Sequence, residues 1–440
     1  MKNKTLGAKN LQKVGVFFDI RPYLYINKEL RVESGEWRVR SGERIIDNLE
    51  FENLTFSSYL CLNYKINLLE FMGLKIYSSI LDSCEGVAER IENALRNTPA
   101  DNICGVVCCG VSDTVGYHQL LGEVKSAIHL SLGRRVPVTL IPQPLLPNGG
   151  LAVEIYALDH DADFQIKEQN GVCYGIIESA EEKMLFVEGI PATNFSDKVS
   201  QQSEEVFAKL DTLLSAYGFE VSDIVRQWNY IGDIVGCRDG KQNYQEFNDA
   251  RSRYYAKCEW ANGYPAATGI GSTDGIIVGG IAFKKADGKG VYPIDNPLQV
   301  AAHIYSKSVL IDNDINAVKS TPKFERAKLI ESAGGAYCFV SGTAAIRGEE
   351  SVDPTSAQLQ TIKTIENIEY LVSQENLARF GSKPYELKYA FLHIFVKHKE
   401  DYEAIRSVVE ERCPQVATIY SVADVCRSEL LVEIEGILTL

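Results

Sequence analysis

The sequence predicts an α+β protein built from three similar modules. The main observation is an order of elements that occurs three times: a strand pair, a helix, a strand, a second helix and two further strands. A second observation is that each run ends in a similar apolar strand, at residues 151–158, 276–283 and 430–437. Helices that alternate with strands, and strands joined by short turns, are typical of mixed sheets with helices on one face. Three such sheets could cover one another's open faces around a pseudo-threefold axis, as in a single-chain version of a cyclic trimer.

The hydrophobic pattern predicts the elements of each run in order. Apolar residues at helical spacing indicate helices, and short continuous apolar segments indicate buried strands. The first helices lie at residues 86–96, 200–217 and 357–374, and the strands after them at residues 103–110, 224–231 and 389–396. The second helices lie at residues 117–132, 244–257 and 401–412, followed by strands at residues 136–141, 266–271 and 416–422.

These runs predict the division of the chain. We expect a degenerate first module with an extra N-terminal segment at residues 1–165, a second module at residues 166–285 and a third at residues 331–440. Residues 286–330 interrupt the repeat and are expected to form an insertion or linker with a separate task.

Composition and charge exclude several classes of function. The chain has 440 residues, 45% of them hydrophobic and 24% charged, which is typical of a globular protein with a large core. A net charge of -14 argues against a nucleic-acid partner, which usually selects a basic surface. The N-terminal apolar run, residues 14–18, is too short for a secretory signal or a membrane span. Eleven cysteines without regular spacing indicate reduced thiols and a cytoplasmic location.

Neither a metal nor a cofactor is expected. Cys104, Cys108 and Cys109 lie in a segment that predicts a buried strand, with no paired cysteine motif or histidine partner. The glycine-rich residues 269–275 lie between two strands and open no helix, so they do not predict a dinucleotide site. Cys338 lies within a strand without a positioned histidine, which argues against a nucleophilic thiol.

A polar turn at residues 347–350, after the strand at residues 337–343, is a candidate for the functional site. The turn carries Arg347, Glu349 and Glu350, and an amphipathic helix follows it. A turn held between a buried strand and a packed helix can aim a carboxyl group at a ligand. The alternative is a surface turn with solvated charges.

Several motifs, in order along the chain, carry a resemblance to a known family. They are residues 186–190, 227–231, 244–251, 265–271, 296–300, 324–327, 341–350 and 424–435. The order of elements and the earlier motifs resemble the Rid (YjgF-like, chorismate-mutase-like) superfamily of trimeric enamine and imine deaminases, whose sites lie between subunits. The later motifs are similar to one branch of it, the chorismatases, which include FkbO-like hydrolases and 3-hydroxybenzoate synthases. The likeness covers residues 183–438 well and the first module weakly.

The chain also departs from both patterns. The segment after Asn296-Pro297 lacks the tyrosines and the Tyr-Pro pair of chorismatases, which leaves the substrate and the product open. The arginine that holds the substrate carboxylate in Rid deaminases is absent after Pro265-Ala266, which weakens the deaminase alternative.

The resemblance implies a cofactor-free hydrolase or lyase that cleaves the enol ether of chorismate. The products would be pyruvate and either a dihydroxycyclohexadiene carboxylate or a hydroxybenzoate. The alternatives are a Rid-type enamine or imine deaminase and a non-catalytic protein that binds a carboxylate metabolite. In each case we expect a small carboxylate ligand, a dicarboxylate for chorismate, with no nucleic acid or membrane as partner. We also expect a monomer that acts as its own pseudo-trimer.

Cleaving an enol ether starts with protonation of its methylene carbon, which needs a general acid that is still protonated near neutral pH. An ordinary glutamate has a pKa of about 4.3 and is almost wholly ionised there. Burial and a neighbouring negative charge can raise that pKa. The resemblance places this acid at Glu350. The alternative is that Glu350 caps the helix that begins near Ser356, although Asp353 and Thr355 lie closer to that helix.

Two substrate carboxylates call for two cationic clamps, and the planar guanidinium fork of arginine suits a carboxylate. The resemblance favours Arg251 first, and Arg347, Arg326 and Arg427 after it. Tyr254 is expected to donate a hydrogen bond to a ring hydroxyl. The pocket shape near Thr343 and Ala267 is expected to influence which ring product forms. Residues 228–230 end a core strand and are expected to serve packing.

Overall fold

The computed structural model of this protein describes most of the chain. It covers residues 30–33, 36–41, 44–46, 66–71, 74–81, 86–96, 98, 103–158, 164–238, 240–306, 320–332 and 335–440, with backbone only for residues up to 78 and for residue 158. The apolar run at residues 14–18 and residues 307–319 of the expected insertion lie outside the described residues. Contacts within the chain divide it into one unit of Met1–Asn63 and another of Tyr64–Leu440.

The unit Met1–Asn63 contains a small antiparallel sheet. Its strands are β1 (Leu30–Glu33), β2 (Glu36–Ser41) and β3 (Arg44–Ile46), in the order β1-β2-β3.

The unit Tyr64–Leu440 contains mixed sheets and helices. Its first strands are β4 (Ile66–Phe71), β5 (Leu74–Leu81), β6 (Ile103–Gly110), β7 (Val138–Ile141), β8 (Leu151–Leu158), β9 (Phe164–Gln169), β10 (Val172–Glu178), β11 (Glu182–Pro191), β12 (Ile224–Gly232), β13 (Cys237–Arg238) and β14 (Lys241–Gln242). The later strands are β15 (Ala266–Ser272), β16 (Ile276–Lys285), β17 (Val291–Ile294), β18 (Ala327–Ser332), β19 (Gly335–Ala344), β20 (Ile346–Arg347), β21 (Glu350–Ser351), β22 (Lys388–Val396), β23 (Ala417–Val422) and β24 (Val432–Thr439). The helices are α1 (Val87–Arg96), α2 (Tyr117–Leu132), α3 (Val199–Ala216), α4 (Asn243–Tyr255), α5 (Ala357–Leu371), α6 (Gln374–Arg379) and α7 (Tyr402–Arg412).

Among the described residues of this unit, three larger sheets share one strand order. The orders are β4-β5-β8-β6-β7, then β10-β11-β16-β12-β15 with β9 added at the edge, and β18-β19-β24-β22-β23 with β17 added at the edge. In each sheet the closing strand (β8, β16 or β24) lies in the middle of the shared order and runs antiparallel to both neighbours. The last two strands of each order are parallel, and a helix (α2, α4 or α7) makes the crossover that a parallel pair requires. The predicted α+β class with mixed sheets is confirmed.

The hydrophobic cores explain how both faces of each sheet are covered. Each sheet packs one face against its own helices, which gives three separate cores. A further core joins side chains from all three sheets, including Ala152 of β8, Ile277 of β16 and Phe395 of β22. Burying an aliphatic or aromatic side chain of this size contributes about 1.5–3 kcal/mol. The sheets therefore shield one another's second faces.

Local signals account for several element ends. Helix α2 ends at Gly133, whose φ of 66° is readily adopted by glycine. Helix α5 is capped by Ser356, whose side chain accepts a hydrogen bond from the backbone N–H of Leu359. The expected strand at residues 430–437 begins two residues later, at Val432, and Leu430 before it packs in the core shared by the sheets. The expected insertion adds β17 to the edge of the third sheet.

Neither a membrane-spanning helix nor a metal cluster is found in the part of the chain that the structure describes. No helix there is both long and apolar enough to cross a membrane. No three histidine, cysteine or acidic side chains there come together as metal ligands would.

Candidate active site

A cleft lies between elements of the second and third sheets. Helix α4 and strand β15 form one wall, and strands β19 and β24 form the other. The segment from Tyr305 to Arg326 closes one side with its described residues. The space between these walls is about 730 Å³, part of it open to solvent. That size fits a small organic ligand.

Among the described residues that line this cleft, one carries a carboxyl group: Glu433 of β24. It is only 5% exposed. Burial, and after it the negative charge of Glu435, raises the pKa of Glu433 to about 8. Arg326 and Arg226 act in the opposite direction. Glu433 is therefore mostly protonated at neutral pH and can donate a proton.

A break in strand pairing makes room for this carboxyl group. The register between β19 and β24 shifts between Val340 and Thr343, as at a β-bulge. Gly342 lies at this shift, and a side chain there would overlap Oε1 of Glu433. The absence of a side chain at this position therefore lets Glu433 enter the cleft.

Two of the predicted arginines line the cleft, Arg326 and Arg427. Arg326 is buried and donates from Nη2 to the carbonyl oxygen of Val300 at 2.9 Å and to the hydroxyl of Tyr305 at 2.5 Å. Among the described residues, its Nε has no hydrogen-bond partner. Arg427 donates from Nη1 to the carbonyl oxygen of Glu349 at 2.8 Å. Both guanidinium groups lie near the Tyr305 ring, at 5.6 Å and 5.3 Å from its centroid.

Arg251 lies one layer behind the cleft wall. It is 1% exposed, and its Nη2 donates at 2.6 Å to Oδ1 of Asn248, which lines the cleft. Its own side chain is not part of the lining that the described residues form. Arg251 therefore lies next to the site, and its neighbour Asn248 is the residue that lines the cleft.

Arg347 and Glu350 belong to a hairpin at the edge of the cleft: Ile346 of its first strand lines the cleft, but neither Arg347 nor Glu350 is part of the described lining. Strands β20 and β21 pair through the backbones of these two residues, and the Glu350 side chain is exposed. Arg347 instead contacts helix α5, where it donates to Asn367 and lies 3.3 Å from Glu366. The structure therefore does not bring Glu350 together with Arg251 in one cleft. The alternative role of Glu350 as a helix cap is wrong, since Ser356 is the cap of α5.

The three remaining predicted residues have different positions. Ala267 lines the cleft. Thr343 is buried between two lining residues and donates to the carbonyl oxygen of Ser341 at 2.8 Å. Tyr254 lies in the core of the second sheet, where its ring stacks on Phe207 at 4.9 Å, so it does not face the cleft. Tyr254 is therefore not part of the described lining of the cleft.

Sequence reasoning missed several lining residues, among them Glu433, Tyr244 and Cys426. The signal for Glu433 was available, because an acidic residue inside the apolar segment at residues 430–437 needs a reason for its burial. Burial raises the pKa of the Cys426 thiol to about 12, so this group is neutral in the cleft. Trp228, expected to serve packing alone, also donates from Nε1 to Glu435 at 3.2 Å.

Comparisons with known proteins show what this chain is similar to. The family described as "Chorismatase FkbO/Hyg5-like, N-terminal" matches residues 160–282. A 3-hydroxybenzoate synthase of Streptomyces hygroscopicus is 32% identical over 289 residues, which are 63% of this chain and 79% of that protein. A chorismatase of Streptomyces rapamycinicus is 28% identical over 342 residues, which are 74% of this chain and 95% of that protein.

A solved structure supports the fold. The crystal structure of a chorismatase at 1.08 Å resolution matches with a TM-score of 0.61 and 21% identity, over 78% of this chain and 95% of that one. At this identity the match concerns the fold. The sequence match to the 3-hydroxybenzoate synthase, at 32% identity over 79% of that protein, adds the family: the chain belongs to the chorismatases.

Proposed function

We propose that this protein cleaves the enol ether of chorismate, releasing pyruvate and either a dihydroxycyclohexadiene carboxylate or a hydroxybenzoate. The observation that carries the proposal is a buried glutamate, Glu433, whose pKa is raised to about 8 in a cleft that also contains Arg326 and Arg427. A carboxylic acid kept neutral near pH 7 is what proton transfer to carbon requires. Relatives named chorismatase and 3-hydroxybenzoate synthase support the same reaction.

The proton donor is Glu433 rather than Glu350. Its O–H transfers a proton to the methylene carbon of the enol ether, which gives an oxocarbenium ion and leaves Glu433 as a carboxylate. Water adds to the cationic carbon and gives up a proton to the Glu433 carboxylate, which restores the acid, and the resulting hemiketal collapses to pyruvate and the ring alcohol. In the hydroxybenzoate outcome the ring fragment instead becomes aromatic by losing water. Arg326 and Arg427 stabilise the developing carboxylate through their positive charge.

Arg326 and Arg427 also hold the two carboxylates of the substrate. Because the Nε of Arg326 has no hydrogen-bond partner among the described residues, it can donate a hydrogen bond to a substrate carboxylate. Their common neighbour Tyr305 keeps the two guanidinium groups in place. Arg251 acts indirectly by orienting Asn248, and Arg347 acts by holding the hairpin whose Glu349 carbonyl accepts from Arg427.

We also propose that the three sheets are three modules around a pseudo-threefold axis, close to the expected residues 1–165, 166–285 and 331–440, with the third module also taking β17 and β18 from the expected insertion. The shared strand order and the core that all three sheets contribute to support this arrangement. In this arrangement a monomer supplies the kind of junction that separate subunits supply in a trimer, and the cleft of Glu433 lies at one such junction.

Incubation of the purified protein with chorismate tests the proposal. Pyruvate release, followed through a coupled lactate dehydrogenase, is the expected result, and NMR of the products identifies the ring compound. A parallel assay for ammonia release from an imine of pyruvate tests the deaminase alternative. Binding of chorismate without pyruvate release would favour the non-catalytic alternative and refute the proposal.

A further inference from the structure

Strand β24 carries two buried carboxyl groups, Glu433 and Glu435. They are two residues apart, so they lie on the same face of the strand. Glu433 lines the cleft, whereas Glu435 lines a second cavity bounded by residues of all three sheets. Two neighbouring acids in such different surroundings suggest different roles.

Glu435 is held as a carboxylate by three donors. Nη2 of Arg226 lies 2.5 Å from Oε2, and the indole N–H of Trp228 donates to Oε1 at 3.2 Å. The hydroxyl of Thr268 donates to Oε2. Because arginine and indole groups can only donate, both oxygens of Glu435 act as acceptors, and its negative charge in this site is that of its buried ion pair with Arg226.

The other titratable groups of the second cavity carry little charge at neutral pH. Burial lowers the pKa of His393 to about 3, so its imidazole is neutral. Burial raises the pKa of Glu154 to about 8, so this carboxyl group is mostly protonated. Among the described residues that line the cavity, Arg226 and Glu435 are therefore the groups that carry a full charge.

A chain of hydrogen bonds connects Glu435 with the wall of the cleft. The Thr268 hydroxyl accepts from Nη2 of Arg226 at 2.8 Å and from the backbone N–H of Gly342 at 3.1 Å. With both of these as donors, the proton of the hydroxyl points to Glu435. Gly342 in turn lies against Oε1 of Glu433. Glu435 is thus connected to Glu433 by two hydrogen bonds, through Thr268 to Gly342, and by the contact of Gly342 with Glu433.

The charges around Glu433 come from several elements. Arg326 from the segment before β18 and Arg226 from β12 both favour its ionised form, and Glu435 on its own strand opposes them. Arg427 also lines the cleft. Two further lining groups stay neutral, since burial raises the pKa of the Tyr244 hydroxyl on α4 and of the Cys426 thiol. The negative charge of Glu435 thus opposes the effect of Arg326 and Arg226 on Glu433.

We propose that Glu435 is a positioning residue for proton transfer, which offsets the arginine charge next to Glu433 and fixes the cleft wall through Thr268 and Gly342. This inference rests on the proposed function of Glu433 as the proton donor. It gives the second glutamate of β24 a role in the reaction without contact with the substrate.

The first test is Glu435→Gln, which keeps the size of the side chain and removes its charge. The titration of the Glu433 carboxyl group is measured by infrared difference spectroscopy, with Glu433→Gln to identify its band. We expect the titration midpoint of Glu433 to fall by about 1 pH unit or more, as for removal of a close charge. The alkaline limb of the pH profile of kcat/KM should move by the same amount. A loss of stability with both midpoints unchanged would overturn the inference.

Two further variants separate charge from position. Arg226→Gln combined with Glu435→Gln leaves no unpaired buried charge, so it remains useful where the single variant does not fold. Since Glu435 influences Glu433 more strongly than Arg226 does, the midpoint should still fall, but by less than in the single variant. Thr268→Val breaks the connection without changing a charge, and we expect a lower kcat. An unchanged midpoint in the double variant, or an unchanged kcat in Thr268→Val, would contradict the proposal.

The spectra also separate this inference from the proposed function. A wild-type Glu433 that is already ionised at pH 7 would refute its role as the proton donor and, with it, the inference. A protonated wild-type Glu433 that keeps its midpoint in Glu435→Gln would leave the proposed function standing and refute only the role of Glu435.

Discussion

Replacing Glu433 with glutamine should slow pyruvate release by about 10²–10⁴-fold, the usual cost of losing a general acid. The structure explains why this residue is suited to the task. With a pKa of about 8, roughly 90% of Glu433 is protonated at pH 7. A carboxyl group at the ordinary value of 4.5 would be protonated to roughly 0.3%, so the site increases the active fraction about 300-fold.

Glu350→Gln is the matched control for this experiment. The same chemical change is made at the acid that the sequence alone predicts, but the Glu350 side chain is exposed and is not part of the described lining of the cleft. We therefore expect near-normal turnover in this variant. Both variants are compared with the wild type by initial rates of pyruvate release at saturating chorismate, after circular dichroism has shown that each is folded.

Two results would refute the reasoning. One is a rate of Glu433→Gln within a factor of about ten of the wild type, because a lost general acid usually costs at least a hundredfold. The other is a hundredfold loss in Glu350→Gln with full activity in Glu433→Gln, which would restore the expectation from the sequence. The rate of the wild type should also fall as the pH rises through about 8, since the donor then becomes ionised.

Three further predictions follow from the geometry. Arg326→Ala should raise KM for chorismate by about 10- to 100-fold, because a hydrogen bond to a charged group contributes about 1.5–3 kcal/mol; an unchanged KM would exclude it as a clamp. Gly342→Ala should lower kcat, since the added methyl group would overlap Oε1 of Glu433, whereas the control Gly122→Ala has open space and should leave kcat unchanged. Glu154 has its pKa raised from 4.5 to about 8, so its stabilising contribution is complete below pH 4.5 and is lost as the pH rises through about 8. Urea unfolding between pH 5 and 9 should show a decline of up to about 5 kcal/mol from this group, and Glu154→Gln should make the decline less steep; an equally steep decline in that variant would contradict the assignment.

The order of elements could be predicted from the sequence because it depends on local patterns. Strands at residues 103–110 and 151–158 lie where the apolar segments predict them, and helix α2 ends at its glycine. The edge strands β9 and β17 were not predicted, because an exposed edge strand has no continuous apolar run. The family could be predicted as well, since its motifs are read directly from the chain and the sequence match confirms it.

The sequence by itself thus determined the α+β class, the repeated order and the family, because these depend on neighbouring residues and on motifs. It also selected Ala267, Arg326 and Arg427, which line the cleft. Only the tertiary structure distinguishes Glu433, which is buried in the cleft, from Glu350, which is exposed on a hairpin. The pKa of a carboxyl group depends on its burial and on nearby charges, and at Glu433 these charges include Arg226 and Arg326, which are distant in the chain. The turn at Glu350 has the more conspicuous charges in the sequence, but the Glu350 side chain is exposed to solvent.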